Sequence, residues 1–310
     1  MIHHKLALIG KNIGYSLSEP IHTISAQHCG IKDFQYSVID LQNKDIPPIN
    51  QLRSYLKTEH ITSFNITTPF KQSIAQAFGY TNQKKPKQQR TQKPYNIAWT
   101  KDHTHWHFAN TDGKGSLAAL SRANISLQDI EHIIFFGYGG AMHALYQAIL
   151  ENLDITTQLI NPKKNLYFHV LWRRIKQPHS HHLKKRHNHN IHHNIHMLFY
   201  PFTPHHFKYL LAQHQDILIV QCTPLPHQKN DMANFAEHIP QYTSRIRGCH
   251  DMTYAAPSAF KHYSSIAQIP FASGLDMLIE QARLNQILWW KQSASFEHIQ
   301  TELQQYSLMS

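Results

Sequence analysis

Two rhythms of apolar and polar residues run through the first hundred positions. Lys5 to Gly10 (KLALIG), Phe34 to Leu41 (FQYSVIDL) and Ile61 to Ile66 (ITSFNI) are short apolar-leaning runs that read as strands. Pro20 to Gly30 (PIHTISAQHCG) reads as a helix, with Pro at its first turn and Gly at its end. Strands and helices in alternation predict βαβ units and a parallel sheet. Tyr95 to Thr100 and His105 to Asp112 then read as a pair of strands closing on Asn110, Thr111 and Asp112, before a helix opens at Gly113.

A second unit opens at HIIFFGYGGAMHALYQAILEN. Its apolar run predicts a strand, Gly137, Gly139 and Gly140 a tight turn, and Ala141 the start of an amphipathic helix. Glycines so placed let backbone approach a pyrophosphate whose charge meets the helix N-terminus, although an ordinary strand-to-helix turn uses glycine too. The next apolar run, Ile155 to Ile160 (ITTQLI), reads as a strand ending in Asn161, Pro162, Lys163 and Lys164. An acid at such a strand end suits NAD, whereas basic residues suit the 2′-phosphate of NADP, so the two lysines favour NADP. Asp216 to Pro224 and Arg245 to Tyr254 predict two further strands. A final helix follows Gly274, with Leu275, Leu278, Ile279 and Ala282 at helical spacing and Met277 packed in the stripe.

The bulk numbers narrow the function classes. A chain of 310 residues with 41% hydrophobic residues suits a soluble protein of two domains or one large α/β unit. No apolar run approaches the ~20 residues of a membrane span, and the first residues lack a signal-peptide core, which predicts a cytoplasmic protein without a membrane partner. Cys29, Cys222 and Cys249 are too dispersed for a disulfide framework or paired-cysteine zinc site. The net charge of +11 is uneven: Ile155 to Gln215 contains no Asp or Glu, and a smaller basic run spans Asn82 to Pro94. No nucleic-acid reading module accompanies either segment, so solvated loops are expected and a nucleic-acid partner is not. Of 27 histidines, eight fall between His179 and His196. That run lacks the cysteines, acids and regular spacing of a dedicated centre, so a surface insertion is expected and no metal site.

Five motifs in order give the chain a resemblance to the shikimate dehydrogenase family, including its quinate/shikimate relatives. GYSLSEPIH (Gly14 to His22) resembles the family's Ser-x-Ser-Pro segment, and NITTPFK (Asn65 to Lys71) its Asn-Val-Thr-x-Pro-x-Lys signature. NTDGKG is similar to Asn-Thr-Asp-x-x-Gly, GYGGA to Gly-x-Gly-Gly-Ala, and GLDMLIEQA to Gly-x-x-Met-Leu-x-x-Gln-Ala. The match covers nearly the whole length apart from about Thr81 to Lys93 and Leu166 to Gln215.

The resemblance implies NADPH-dependent, reversible reduction of 3-dehydroshikimate to shikimate, a step of chorismate and aromatic amino-acid biosynthesis. It also implies a catalytic pair, Lys71 and Asp112. Lys71 suits the chemistry, because hydride delivery to a ketone leaves negative charge on oxygen that a cation or proton donor must meet. Taken alone, Lys71 reads as a solvated helix-start residue and Asp112 as an N-cap for the helix at Gly113. The resemblance further implies that Ser16 and Ser18 bind the substrate carboxylate and that Thr67, Asn96, Tyr254 and Gln281 contact substrate. Gly137, Gly139, Gly140, Ala141, Asn161, Lys163, Lys164 and Thr223 fall at its cofactor positions.

The expected fold class is α/β with two domains. Residues 1–112 form a substrate-binding domain, completed by C-terminal helices at 275–310. Residues 113–274 form a Rossmann-type NADP-binding domain with a His-rich basic insertion at about 166–215. A monomer or homodimer acting on a small-molecule substrate is expected. Pro94, Tyr95 and Ile97 depart from the family pattern around Asn96 and bring bulk toward the substrate pocket. Asn161-Pro162-Lys163 stands for its Asn-Arg-Thr, and QCTPLP lacks its glycine near the nicotinamide. A catalytically impaired or specialised relative binding a ligand, metal or polyanion is the alternative.

Overall fold

The computed structural model describes residues 4–41, 48–80, 94–156, 165–176, 178–182, 195–223, 232–254 and 256–309. The chain divides into two compact units, one of Met1–Gly115 with Leu278–Ser310 and one of Ser116–Met277.

The first unit holds a five-stranded sheet of β1 (His4–Gly10), β2 (Phe34–Asp40), β3 (Ile61–Ile66), β4 (Ile97–Thr100) and β5 (Trp106–Ala109), in the order β2-β1-β3-β4-β5. β1 lies parallel to β2 and β3, while β4 runs antiparallel to β3 and β5 antiparallel to β4. Successive residues of β1 enter different cores: Ala7 and Ile9 pack with Phe64, Ile66 and Phe70, whereas Leu6 and Leu8 pack with Ile13 and Tyr36. Burial of both faces explains the near-continuous apolar runs.

Buried polar contacts knit the C-terminal segment into this unit. Ser25 Oγ donates to Gln286 Oε1 at 2.7 Å and accepts from the Ala294 amide at 2.9 Å. The same Gln286 places Nε2 3.0 Å from His22 Nδ1.

The second unit is a seven-stranded sheet made of β6 (His132–Phe136), β7 (Leu166–Trp172), β8 (His179–His182), β9 (Ile195–Pro201), β10 (Ile217–Gln221), β11 (Ile246–Asp251) and β12 (Phe271–Ala272). Its order is β12-β11-β10-β6-β7-β9-β8, all parallel except the antiparallel edge strand β8. Setting β8 aside, this is the 3-2-1-4-5-6 order of a dinucleotide-binding sheet, whose strand order reverses between β6 and β10. Ile133 and Phe135 face one core and Ile134 and Phe136 the other.

Two expectations are corrected here. Ile155 and Thr156 belong to the last turn of the helix Gly140–Thr156, so the strand beside β6 is not Ile155 to Ile160 but β7. Only one strand can occupy that place, and β7 carries Phe168 and Val170 for one core and Leu171 for the other. The stretch at about 166–215 is likewise not an insertion. It supplies β7, β9 and the covering helix Pro204–Gln213, capped by Thr203, whose side chain accepts from the His206 amide. Asn161, Lys163, Lys164, residues 183–194 of the histidine run and 82–93 of the smaller basic run lie outside the described residues.

Candidate active site

Strand direction gathers the polar residues of the first unit at one edge of its sheet. β1 and β3 are parallel, so the segments after Gly10 and after Ile66 leave side by side, joined by Lys11 N donating to Thr68 O at 3.3 Å. β4 is antiparallel to β3, so Asn96 at its start reaches the same edge, and its carbonyl accepts from the Ile66 amide at 2.8 Å. β5 reverses again, bringing Asn110, Thr111 and Asp112 there as well. Gly10 is required at this point, because a Cβ would run into the Thr67 methyl and stand 2.6 Å from Ile13 Cγ2.

Lys71 lies in the turn between β3 and the short helix Ser73–Ala77, not in the helix itself. Its Nζ is 2.6 Å from Asp112 Oδ2, with 21% of the lysine side chain and 7% of the aspartate exposed. Asp112 begins the helix Asp112–Arg122, yet its carboxylate turns to side chains: Oδ1 accepts from Asn96 Nδ2 at 2.7 Å. Asn96 Nδ2 also lies 2.9 Å from Thr111 Oγ1 and 2.9 Å from Gln281 Oε1, while Asn96 Oδ1 accepts from the Thr111 amide at 2.9 Å. Gln281 is buried. Thr111 and Asn285 complete the network through a 2.8 Å contact between Thr111 Oγ1 and Asn285 Oδ1. Neither had been singled out as a site residue; the signal for Asn285 was its place one turn after Gln281.

Ser16 Oγ donates to Ser18 Oγ at 3.1 Å and accepts from the Ser18 amide at 3.2 Å, a pair of hydroxyls held in one turn. Thr67 donates its amide to Ile9 O at 3.0 Å. The bulk of Tyr95 is taken up by the core, where its ring meets Tyr80 at 5.4 Å and Phe108 at 5.9 Å between centroids. Tyr254 belongs to the second unit, half-buried beyond β11.

In the second unit Gly137 follows β6 at the reversal point with φ +106, a conformation L side chains rarely adopt. A Cβ there would stand 2.7 Å from Thr223 Cγ2, so glycine lets the turns after β6 and β10 close on each other. Gly139 has nothing within 4 Å of its Cβ position, and Gly140 and Ala141 open the helix Gly140–Thr156. Open space at a helix N-terminus fits a pyrophosphate. Because β7 is the second parallel strand, its end carries Trp172, Arg173 and Arg174. Both arginines are exposed, with Arg173 over the Phe202 ring at 5.0 Å. In a sheet of this order the end of the second strand is where basic residues suit a 2′-phosphate; Lys163 and Lys164 lie outside the described residues.

Residues 8–85 match the model of the shikimate dehydrogenase substrate binding domain. A shikimate dehydrogenase (NADP(+)) of Staphylococcus epidermidis is 27% identical over 172 residues, covering 53% of this chain and 58% of that enzyme. The chain thus spans little more than half the length of that relative. Among solved structures, shikimate dehydrogenase 1 of Peptoclostridium difficile superimposes with a TM-score of 0.66 at 18% identity, covering 99% of this chain and 98% of that one. Shikimate 5-dehydrogenase of Listeria monocytogenes, solved with shikimate and NAD, gives 0.64 at 16% identity, covering 97% and 96%. At these identities the likeness of the structures is one of fold.

Proposed function

We propose that this chain, which belongs to the shikimate dehydrogenase family through its substrate-binding domain, catalyses the NADP-dependent interconversion of 3-dehydroshikimate and shikimate. The observation that carries the reading is the 2.6 Å Lys71–Asp112 pair, fixed on its far side by Asn96 at 2.7 Å. A cation held against a buried acid on a sheet edge is prepared for charge that develops on a substrate oxygen.

In the direction of reduction, NADPH supplies the hydride when bound. Lys71 Nζ meets the oxygen that becomes negative and gives it a proton. Asp112 keeps the ammonium on that line and accepts a hydrogen bond from a substrate hydroxyl. Ser16 and Ser18 offer hydroxyls to the carboxylate at the other end, and Thr67, Asn96 and Gln281 line the ring. Tyr254 would join only from the second unit. Gly137, Gly139, Gly140, Ala141 and Thr223 suit the pyrophosphate and nicotinamide end, and Arg173 and Arg174 the 2′-phosphate. A cytoplasmic location and a monomeric or homodimeric state complete the proposal; among the described residues no helix is long and apolar enough to cross a membrane.

The test is NADP-dependent oxidation of shikimate followed at the nicotinamide absorbance, with NAD and quinate run beside it. Saturable reduction of NADP by shikimate is expected. No reduction of either nucleotide by either substrate, in a protein that is folded by circular dichroism, would overturn the reading.

A further inference from the structure

His132, His169 and His214 are separated in sequence but meet in the second unit. His132 opens β6, His169 lies in the middle of the neighbouring β7, and His214 follows the helix Pro204–Gln213. Strand alternation puts His132 and His169 on one face: His132 shares the side of Ile134 and Phe136, and His169 that of Leu171, all three in the core that the helix covers. One ring nitrogen from each histidine lies within 4.8 Å of those of the other two. The tightest approach is His132 Nδ1 to His169 Nε2 at 3.0 Å, and the His214 ring stacks at 4.1 Å on His132 and 4.7 Å from His169.

We propose that His132, His169 and His214 form a three-histidine site for a borderline divalent transition metal, zinc foremost. Imidazole is a preferred ligand for zinc, and three such ligands with one position left for water is an established coordination pattern. His169 is fully buried and its Nδ1 has no partner, so the ring is not committed at both nitrogens. Burial, the first cause for each, favours the uncharged form of all three rings, and only neutral imidazole binds metal. His132 and His214 are half-buried, which gives the ion a way in from solvent. Such a metal would tie the end of the covering helix to two strands. The site sits at the start of β6, about 16 Å along the strand from the Gly137 turn, at ~3.3 Å per residue. It is therefore a structural centre apart from the proposed cofactor turn.

The histidine run would bind metal adventitiously, so the test starts from full-length protein in which the histidines from His179 to His193 are replaced by asparagine. This parent is loaded with zinc, passed over a mild chelator, and assayed for bound zinc and for its melting temperature with and without the metal. One zinc per chain and a rise in melting temperature are expected. His132→Ala and His214→Ala, each at a half-buried ring, should weaken zinc binding by more than the ~10–100-fold that loss of an outer hydrogen-bond partner costs, and should abolish the rise. A parent that retains no zinc overturns the proposal without any variant of the three. Equal zinc retention in parent and both variants overturns it as well, since the metal is then held elsewhere.

Discussion

Gln281 Oε1 lies 2.9 Å from Asn96 Nδ2 across 185 positions of sequence, so the C-terminal helix supplies a fixed wall to the Lys71–Asp112 site. Gln281→Leu keeps volume in the helix but removes the acceptor for Asn96 and for Asn285 Nδ2, which sits 3.3 Å away. Buried donors left without acceptors cost about 1–3 kcal/mol each. Chemical denaturation should show a loss of that order, and KM for shikimate should rise as Asn96 loses its orientation. A variant as stable as the parent with unchanged KM would show that Gln281 merely fills space.

Lys71→Met keeps the packing of the stem and removes the charge. With Lys71 acting on developing oxyanion charge, kcat should fall by roughly 10²–10⁴ while KM moves little. Ser16→Ala should do the reverse, raising KM because a carboxylate contact serves ground and transition states alike. Turnover near the parental value in Lys71→Met, measured by steady-state kinetics, would remove the lysine from the chemistry.

NADP should be preferred over NAD, and the preference should shrink with added salt because Arg173 and Arg174 are exposed. Replacing both arginines by serine should erase most of it, each charged hydrogen bond being worth about 1.5–3 kcal/mol. Replacing Lys163 and Lys164 by serine should change the NADP to NAD ratio of kcat/KM much less. The opposite ranking would return the clamp to the lysines.

Acid should destabilise the first unit before its carboxylates protonate. Burial lowers His22 to about 3, and the ring is fully enclosed, stacked on Tyr36 at 5.1 Å. An unfolded histidine titrates near 6.5, so below that pH the unfolded chain binds a proton that the folded chain does not. Stability is full above about 6.5 and falls toward pH 3, by up to about 1.4 kcal/mol per pH unit for this group. Fully buried His250, in the second unit and also lowered by burial, gives that unit a dependence of the same sign. Urea midpoints from pH 7 to 4.5 should therefore slope less in His22→Asn, whose amide can still bond Gln286 but cannot titrate. An identical slope in both proteins would exclude His22 as a source.

Short motifs made one side of the site legible from sequence. Lys71, Asp112, Asn96 and Gln281 were each anchored by neighbours of fixed type, and the fold brings those four together. Thr111 and Asn285 were not anticipated because their importance lies in side chains they meet across the fold. The second strand of the nucleotide sheet was misplaced for a different reason. ITTQLI is β-branched and follows a helix, whereas LYFHVLW contains a histidine and adjoins a basic, His-rich tract, so local composition argued against the true strand. What decides between them is two-sided burial beside β6, which is a property of the sheet and not of either segment.

The first unit is assembled from two stretches, residues 1–115 and 278–310, with the whole second unit strung between them. During synthesis from the N-terminus, then, the second unit can emerge and fold as an uninterrupted segment while the first still lacks its last helices. Ser25 and His22 must wait for Gln286 to leave the ribosome before their buried side chains meet it, and the Asn96–Thr111 pair waits likewise for its contact with Gln281. A nascent chain halted just short of Leu278 would carry a finished second unit and a first unit with open polar wounds, which is the form that chaperones and proteases would meet first.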